Sequence, residues 1–198
     1  MQVHRTELAG VLLFEPKPHH DDRGWFSRTF ESAAARSAGI DPSAFVQDSQ
    51  SRSRKGVIRG LHGRFGRGEA KFVRCSSGAL FDVVIDARSD SPTFGRWAAF
   101  RLDDEQMRGI YIPRGFLHGF QALTETADIC YRIDAEHDPA EDIAVRWDDP
   151  DLTIEWPLAP TLISERDRQA GTWTELQSFL RRAAENSTLT GSRGRGRT

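Results

Sequence analysis

Lys71-Phe-Val-Arg-Cys-Ser-Ser-Gly-Ala-Leu-Phe-Asp-Val-Val-Ile-Asp86 is the stretch whose reading decides the fold class. Two runs, Lys71–Cys75 and Leu80–Asp86, are rich in β-branched and aromatic side chains, and Ser76-Ser77-Gly78 breaks them apart. The same grammar continues in Trp97–Leu102, Gly109–Ile112, Gly119–Leu123, Ile129–Ile133 and Ile143–Trp147. Ser89-Asp90-Ser91-Pro92 and Asp148-Asp149-Pro150 supply further breaks. Many short strands with few helices between them predict a mainly β chain, and the jelly-roll is the common container of this size.

Two helical pieces flank the strands. Glu31–Ser37 is Ala-rich and is followed by Gly39, a stop signal. Thr172-Trp-Thr-Glu175 reads as a capping box, with Leu176, Phe179 and Leu180 following on one face. From Glu185 the chain has almost no apolar content, which predicts a single domain over residues 1–184 and a disordered basic tail over residues 185–198. At 198 residues the chain is long enough for one well-buried core.

A net charge of −2 gives no global attraction to nucleic acid or anionic membranes. The longest apolar run near the start is Val11-Leu12-Leu13-Phe14, too short for a signal peptide or a membrane span. Cys75 and Cys130 lie inside strand-like runs without ligand-type spacing and read as buried thiols, which suits a cytoplasmic address.

Residues able to carry chemistry concentrate in three places: Arg59-Gly60-Leu61-His62, Ile112-Pro-Arg-Gly-Phe-Leu-His-Gly-Phe120 and Cys130-Tyr131-Arg132. An imidazole changes charge between about pH 5 and 8, so His62 suits a general base. Arg59, Lys71 and His118 suit phosphates or a developing oxyanion, and Tyr131 suits a general acid. Alone, a His beside an Arg on a strand reads equally well as a solvated surface pair. Pro113-x-Gly115-x-x-His118 resembles the second cupin motif. In metal-binding cupins the first motif carries two histidines one residue apart; here that place reads His62-Gly63-Arg64. A ligand set would need His62, His118 and Glu69 with Arg64 and Lys71 crowding the cation, so no metal is expected.

These residues, with Phe14-Glu-Pro-Lys17, Asp22-Arg-Gly24, Phe45-Val-Gln-Asp48, Gly56-Val-Ile-Arg-Gly-Leu-His62, Ser91-Pro-Thr-Phe-Gly95 and Ser164-Glu-Arg-Asp167, carry a resemblance. The chain is similar, from about residue 3 to residue 170, to the dTDP-4-dehydrorhamnose 3,5-epimerase family, the RmlC-like cupins of deoxysugar biosynthesis. The resemblance implies a cupin-type jelly-roll barrel with short flanking helices, a homodimer, no cofactor, and a nucleotide-diphosphate sugar as substrate. It implies His62 as base, Asp167 as the carboxylate orienting it, Tyr131 as the proton donor and Lys71 as the stabiliser of the enolate oxygen. Arg23, Gln47, Arg59 and His118 match positions that hold the nucleotide, its diphosphate or the sugar, and Asp142 joins the substrate-contacting set.

Four positions depart from the family pattern. Gly63-Arg64 stands where Tyr-Gln is usual, Arg28 where glutamate is usual, Ser49 where asparagine is usual, and His137 where an aromatic suited to stacking on the base is expected. Arg28 and Arg64 either accommodate a more anionic or differently placed ligand or pair with local carboxylates such as Asp21 and Glu69. The departures bear on the nucleotide and on which carbon is inverted, so inversion of one carbon rather than two stands as the alternative. A non-catalytic sugar-nucleotide-binding cupin is the alternative from another class, and retention of His62, Tyr131 and Asp167 together speaks against it.

Overall fold

One strand is buried on both faces, and two sheets are arranged around it. The computed structural model describes residues 1–192. In β8 (Ala79–Asp86) Leu80 and Val84 enter one apolar cluster while Val83 and Ile85 enter another. Burial on both faces explains why its residues are apolar on both sides and do not alternate, with the buried Asp82 as the one break before Asp86 closes the strand.

The remaining elements, in chain order, are β1 (Gln2–Arg5), β2 (Leu12–Glu15), β3 (His19–Asp21), β4 (Gly24–Phe26), α1 (Ser32–Ser37), β5 (Gln47–Arg54), β6 (Ile58–Arg64) and β7 (Lys71–Ser77). After β8 come β9 (Trp97–Asp103), β10 (Gly109–Ile112), β11 (Phe116–Ala122), β12 (Thr126–Ile133), β13 (Asp142–Ala144), α2 (Glu165–Arg168) and α3 (Trp173–Ser192). A six-stranded sheet runs β1-β2-β10-β7-β12-β5, a five-stranded sheet runs β13-β6-β11-β8-β9, and β3-β4 form a separate hairpin. The fold is the mainly β, cupin-type jelly-roll that the sequence predicts.

Val73, Cys75, Ile110, Ile112, Ile129 and Ala127 from the larger sheet meet Leu80, Val84, Ala98, Leu102, Phe116 and Phe120 from the smaller one. Each fully buried Leu, Ile or Phe contributes about 1.5–3 kcal/mol. The outer face of the smaller sheet is covered by the C-terminal third of the chain. Leu152, Trp173 and Leu176 pack on Val83, Ile85 and Leu117. The Trp97 indole N–H donates to Leu152 O at 2.7 Å and fixes that segment.

The capping box is formed as expected: Thr172 N–H donates to Glu175 Oε2 at 2.7 Å and Glu175 N–H to Thr172 Oγ1 at 3.2 Å. The helix it starts is longer than the sequence suggests. Its backbone continues through residues 185–192, since extending a capped helix costs far less than nucleating one. The rest of the expected disordered tail, residues 193–198, lies outside the described residues. The strand expected over Ile143–Trp147 ends at Ala144, after which Val145 exchanges two hydrogen bonds with Leu61 and makes an isolated bridge to Gly171. Both cysteines are free thiols, Cys75 fully buried and Cys130 half-buried, and burial pushes the Cys75 thiol up to about 12. Among the described residues, no helix is long and apolar enough to cross a membrane.

His62 on β6 lies opposite His118 on β11, and the ladder shifts register immediately after it, between His118 and Phe120. Such irregularities re-aim side chains beside functional clefts. Two glycines permit the approach. Gly60 has φ +132°, and a Cβ there would sit 2.5 Å from Gly119 Cα. Gly60→Ala is therefore expected to overpack this seam by about 1–3 kcal/mol. At about 2–4 °C per kcal/mol the loss reads directly as a lower Tm in a thermal melt. An unchanged Tm would show that the two backbones stand further apart.

Candidate active site

The site is built where β6, β11 and β12 face the interior and α2 closes against β6. Ser164 caps α2, its hydroxyl accepting the Asp167 N–H at 3.1 Å, and this holds the Asp167 side chain against β6. There Asp167 Oδ1 lies 2.6 Å from Nε2 of His62, and Oδ2 accepts the Gly60 N–H at 3.3 Å. Burial opposes ionisation of Asp167, yet the His62 hydrogen bond and charge, with Gly60 and Ser164, outweigh it and hold the carboxyl below its ordinary range. With its Nε2 proton committed to Asp167, His62 presents Nδ1 as the basic nitrogen. The His62 side chain is 37% exposed while Asp167 is 4% exposed, so the imidazole meets solvent and its partner does not. A cleft of ≈ 500 Å³ opens here, lined by Arg59, His62, Leu162, Ile163, Arg166 and Asp167.

His118 and Asp82 form a second imidazole–carboxylate pair at 2.8 Å, both buried. Tyr131 packs edge-on to His118 with centroids 6.1 Å apart. Burial, reinforced by the Asp82 charge and opposed by Ser51 and Arg59, raises the Tyr131 phenol well above its usual value. The phenol therefore holds its proton across the neutral range. Beside it β5 turns Gln47, Ser49, Ser51 and Ser53 to the same side of the sheet as Ile133, Tyr131, Ile129 and Ala127. Gln47 donates to Ser49 Oγ at 2.9 Å, and Arg59 donates to Ser53 Oγ at 3.0 Å.

Lys71, on β7, lies 2.8 Å from Glu69 Oε1, and Glu69 Oε2 lies 3.0 Å from Nε of Arg64. Arg64 is thus paired with Glu69, one of the two readings its sequence position allows. Asp142 is 3.7 Å from Arg64 and 2.8 Å from Arg166, so it is engaged by cations and not free toward the cleft. His137 is exposed, and its Nδ1 lies 2.7 Å from an Arg64 nitrogen.

The remaining expected residues stand apart. Arg23 and Arg28 are on or beside the exposed β3–β4 hairpin, where Arg23 grips Asp21 and Arg28 lies 5.7 Å over the Phe26 ring. The Arg28–Asp21 pair raised by the sequence is not formed, because Asp21 is already taken by Arg23 two residues away. His62, His118 and Glu69 are paired with Asp167, with Asp82, and with Arg64 and Lys71, and among the described residues no three His, Cys, Asp or Glu side chains are grouped so as to hold a metal ion. The sequence assigns no role to Asp82 or Arg166, although Asp82 sits inside the Lys71–Asp86 stretch that decides the fold and Arg166 inside the Ser164–Asp167 motif of the resemblance. Their side-chain partners lie 36 and 24 residues away, a separation no local pattern reports.

A family model described as dTDP-4-dehydrorhamnose 3,5-epimerase matches residues 5–175. A dTDP-4-dehydrorhamnose 3,5-epimerase of Pseudomonas aeruginosa is 42% identical over 181 residues, covering 90% of this chain and 99% of the relative. A dTDP-4-dehydrorhamnose 3-epimerase of Streptomyces niveus is 38% identical, covering 86% of this chain and 83% of that one. The crystal structure of a dTDP-6-deoxy-D-glucose-3,5-epimerase from Legionella pneumophila, in complex with dTDP-4-keto-L-rhamnose, superposes with a TM-score of 0.85 at 36% identity. It covers 90% of this chain and 96% of its own.

Because the folded Asp167 carboxyl sits below its ordinary value, its ionised form stabilises the fold. That contribution is complete above the unfolded value of about 3.9 and is lost as pH falls through the lowered one. The stability advantage of the wild-type chain over Asp167→Asn, measured by urea unfolding, is expected to shrink below about pH 4. An advantage that stays constant from neutral to strongly acidic pH would contradict this account.

Proposed function

This chain belongs to the dTDP-4-dehydrorhamnose 3,5-epimerase family, and we propose that it inverts C3, C5 or both in a dTDP-linked 4-keto-6-deoxyhexose. The observation that carries this is the His62–Asp167 bond of 2.6 Å, with the base open to the cleft and its carboxylate buried. Nδ1 of His62 removes the proton α to the C4 ketone, and the electron pair of that C–H bond moves into an enolate. Asp167 keeps the imidazolium oriented and compensated. Lys71 meets the enolate oxygen. Tyr131, a phenol that keeps its proton at neutral pH, returns a proton to the same carbon from the opposite face, which inverts it. His62 then loses its proton and Tyr131 regains one by way of solvent, so each inverted carbon acquires a solvent hydrogen.

Arg59, Gln47, Ser49 and His118 contact the sugar, the diphosphate or the nucleoside in this reading, with His137 at the base and Asp142 orienting Arg166. Arg23 and Arg28 join the substrate from the hairpin. That hairpin leaves Trp25 56% and Phe26 62% exposed, and this supports a homodimer in which a second copy covers them. The free thiols support a cytoplasmic address. Inversion of a single carbon is the second reading, favoured by Gly63-Arg64 in place of Tyr-Gln and by the similarity to a 3-epimerase.

Incubation of a dTDP-4-keto-6-deoxyhexose with the protein in heavy water, followed by mass spectrometry, tests both. Two deuterons incorporated mean both carbons, and one means the single-position reading. His62→Ala is expected to slow incorporation by about 10²–10⁴-fold. An undiminished rate in that variant would sink the acid–base reading altogether.

A further inference from the structure

Arg64 is a cation near the dyad that the mechanism above does not use, and it is more deeply buried than either cation it is linked to. Its side chain is 6% exposed, against 13% for Lys71 and 61% for Arg166. It follows His62 by two residues on β6, so both project from the same face of the strand. Its guanidinium is divided among four partners. Nε faces Glu69 at 3.0 Å and Asp142 at 3.7 Å, one terminal nitrogen donates to Glu136 O at 2.7 Å, and the other meets His137 Nδ1 at 2.7 Å.

Two consequences follow from donor chemistry alone. A guanidinium has no acceptor, so His137 Nδ1 must be the unprotonated nitrogen. The ring is then the neutral tautomer, with its N–H on Nε2. Second, Lys71, Glu69, Arg64, Asp142 and Arg166 form a chain of alternating charge with a cation at each end and one more cation than carboxylates. Glu69 shared between two cations neutralises Lys71 less than Glu69 held by Lys71 alone. Lys71 thereby keeps positive charge for an oxygen that becomes negative.

We propose that Arg64 is a positioning residue for this reaction, acting through Glu69 on Lys71 and through Nδ1 on His137. The proposal rests on the reading of Lys71 as the enolate stabiliser. Charge on that oxygen develops only as the proton leaves, so loss of Arg64 falls on kcat more than on KM. Groups that orient those touching the reacting centre commonly matter by about 10–100-fold.

The test has two independent readouts. In ligand-free protein carrying ¹⁵N-labelled histidine, His137 is expected to show a proton-free Nδ1 and a protonated Nε2, and to lose this fixed tautomer in both Arg64→Gln and Arg64→Lys. In the solvent-exchange assay Arg64→Gln is expected to lower kcat by about 10–100-fold with KM changed far less. Arg64→Lys, which restores charge but not the fork, is expected to recover part of kcat. A wild-type His137 with its proton on Nδ1, or an Arg64→Gln protein with wild-type kcat, would overturn the proposal. The spectrum needs no turnover, so it decides the role of Arg64 at His137 even if the wild-type chain fails to exchange solvent hydrogen.

Discussion

The interior of this barrel carries charge, and every buried carboxylate has to be met before two sheets can close over it. Leaving one partner of a buried ion pair behind costs about 3–5 kcal/mol, a large share of the stability of a domain this size. Asp167 is met by His62 and the Gly60 N–H, Asp82 through one oxygen by His118, and Glu69 by the charges of Arg64 and Lys71, while Asp82 Oδ1 and Glu69 Oε2 are left without a hydrogen bond among the described residues. The apolar clusters supply the drive to close. These pairings decide where closure is permitted, and they leave one end of the barrel polar.

The pairings that make burial tolerable also set the chemistry. Asp167 fixes which nitrogen of His62 is free, and burial beside Asp82 raises the Tyr131 phenol above its usual value. Environment thus sets the state of both side chains with no change in the identity of either. The close seam at Gly60 and Gly119 brings the two histidine strands together, so it links backbone geometry to the placement of both imidazoles.

Apolar elements were legible in the sequence, and polar ones less so. The Gly109–Ile112 strand has the bounds its residues suggest, and the Thr172–Glu175 capping box forms as its spacing requires. β5 escaped because Gln-Asp-Ser-Gln-Ser-Arg-Ser-Arg contains no apolar residue. Its serines face the same side of the sheet as Tyr131 and form a polar wall there, so the usual alternation of apolar and polar residues does not apply. β1, a four-residue edge strand, was missed because so short a strand carries little pattern of its own, and four-residue β2 beside it was too short to set its apolar run apart as a strand.

Sequence alone determined the β-rich class, the family resemblance and which residues are candidates for the site, His62, Asp167 and Tyr131 among them, because identity and spacing along the chain are what a motif records. Tertiary structure decided what each charge faces. Arg64 reads in sequence as either a ligand contact or half of a local ion pair. The fold resolves it as a buried hub for Glu69, Asp142, Glu136 and His137. The physical reason is range: a hydrogen bond acts over about 3 Å in space, whereas the partners of Arg64 and Asp167 lie up to 73 and 107 residues away in sequence.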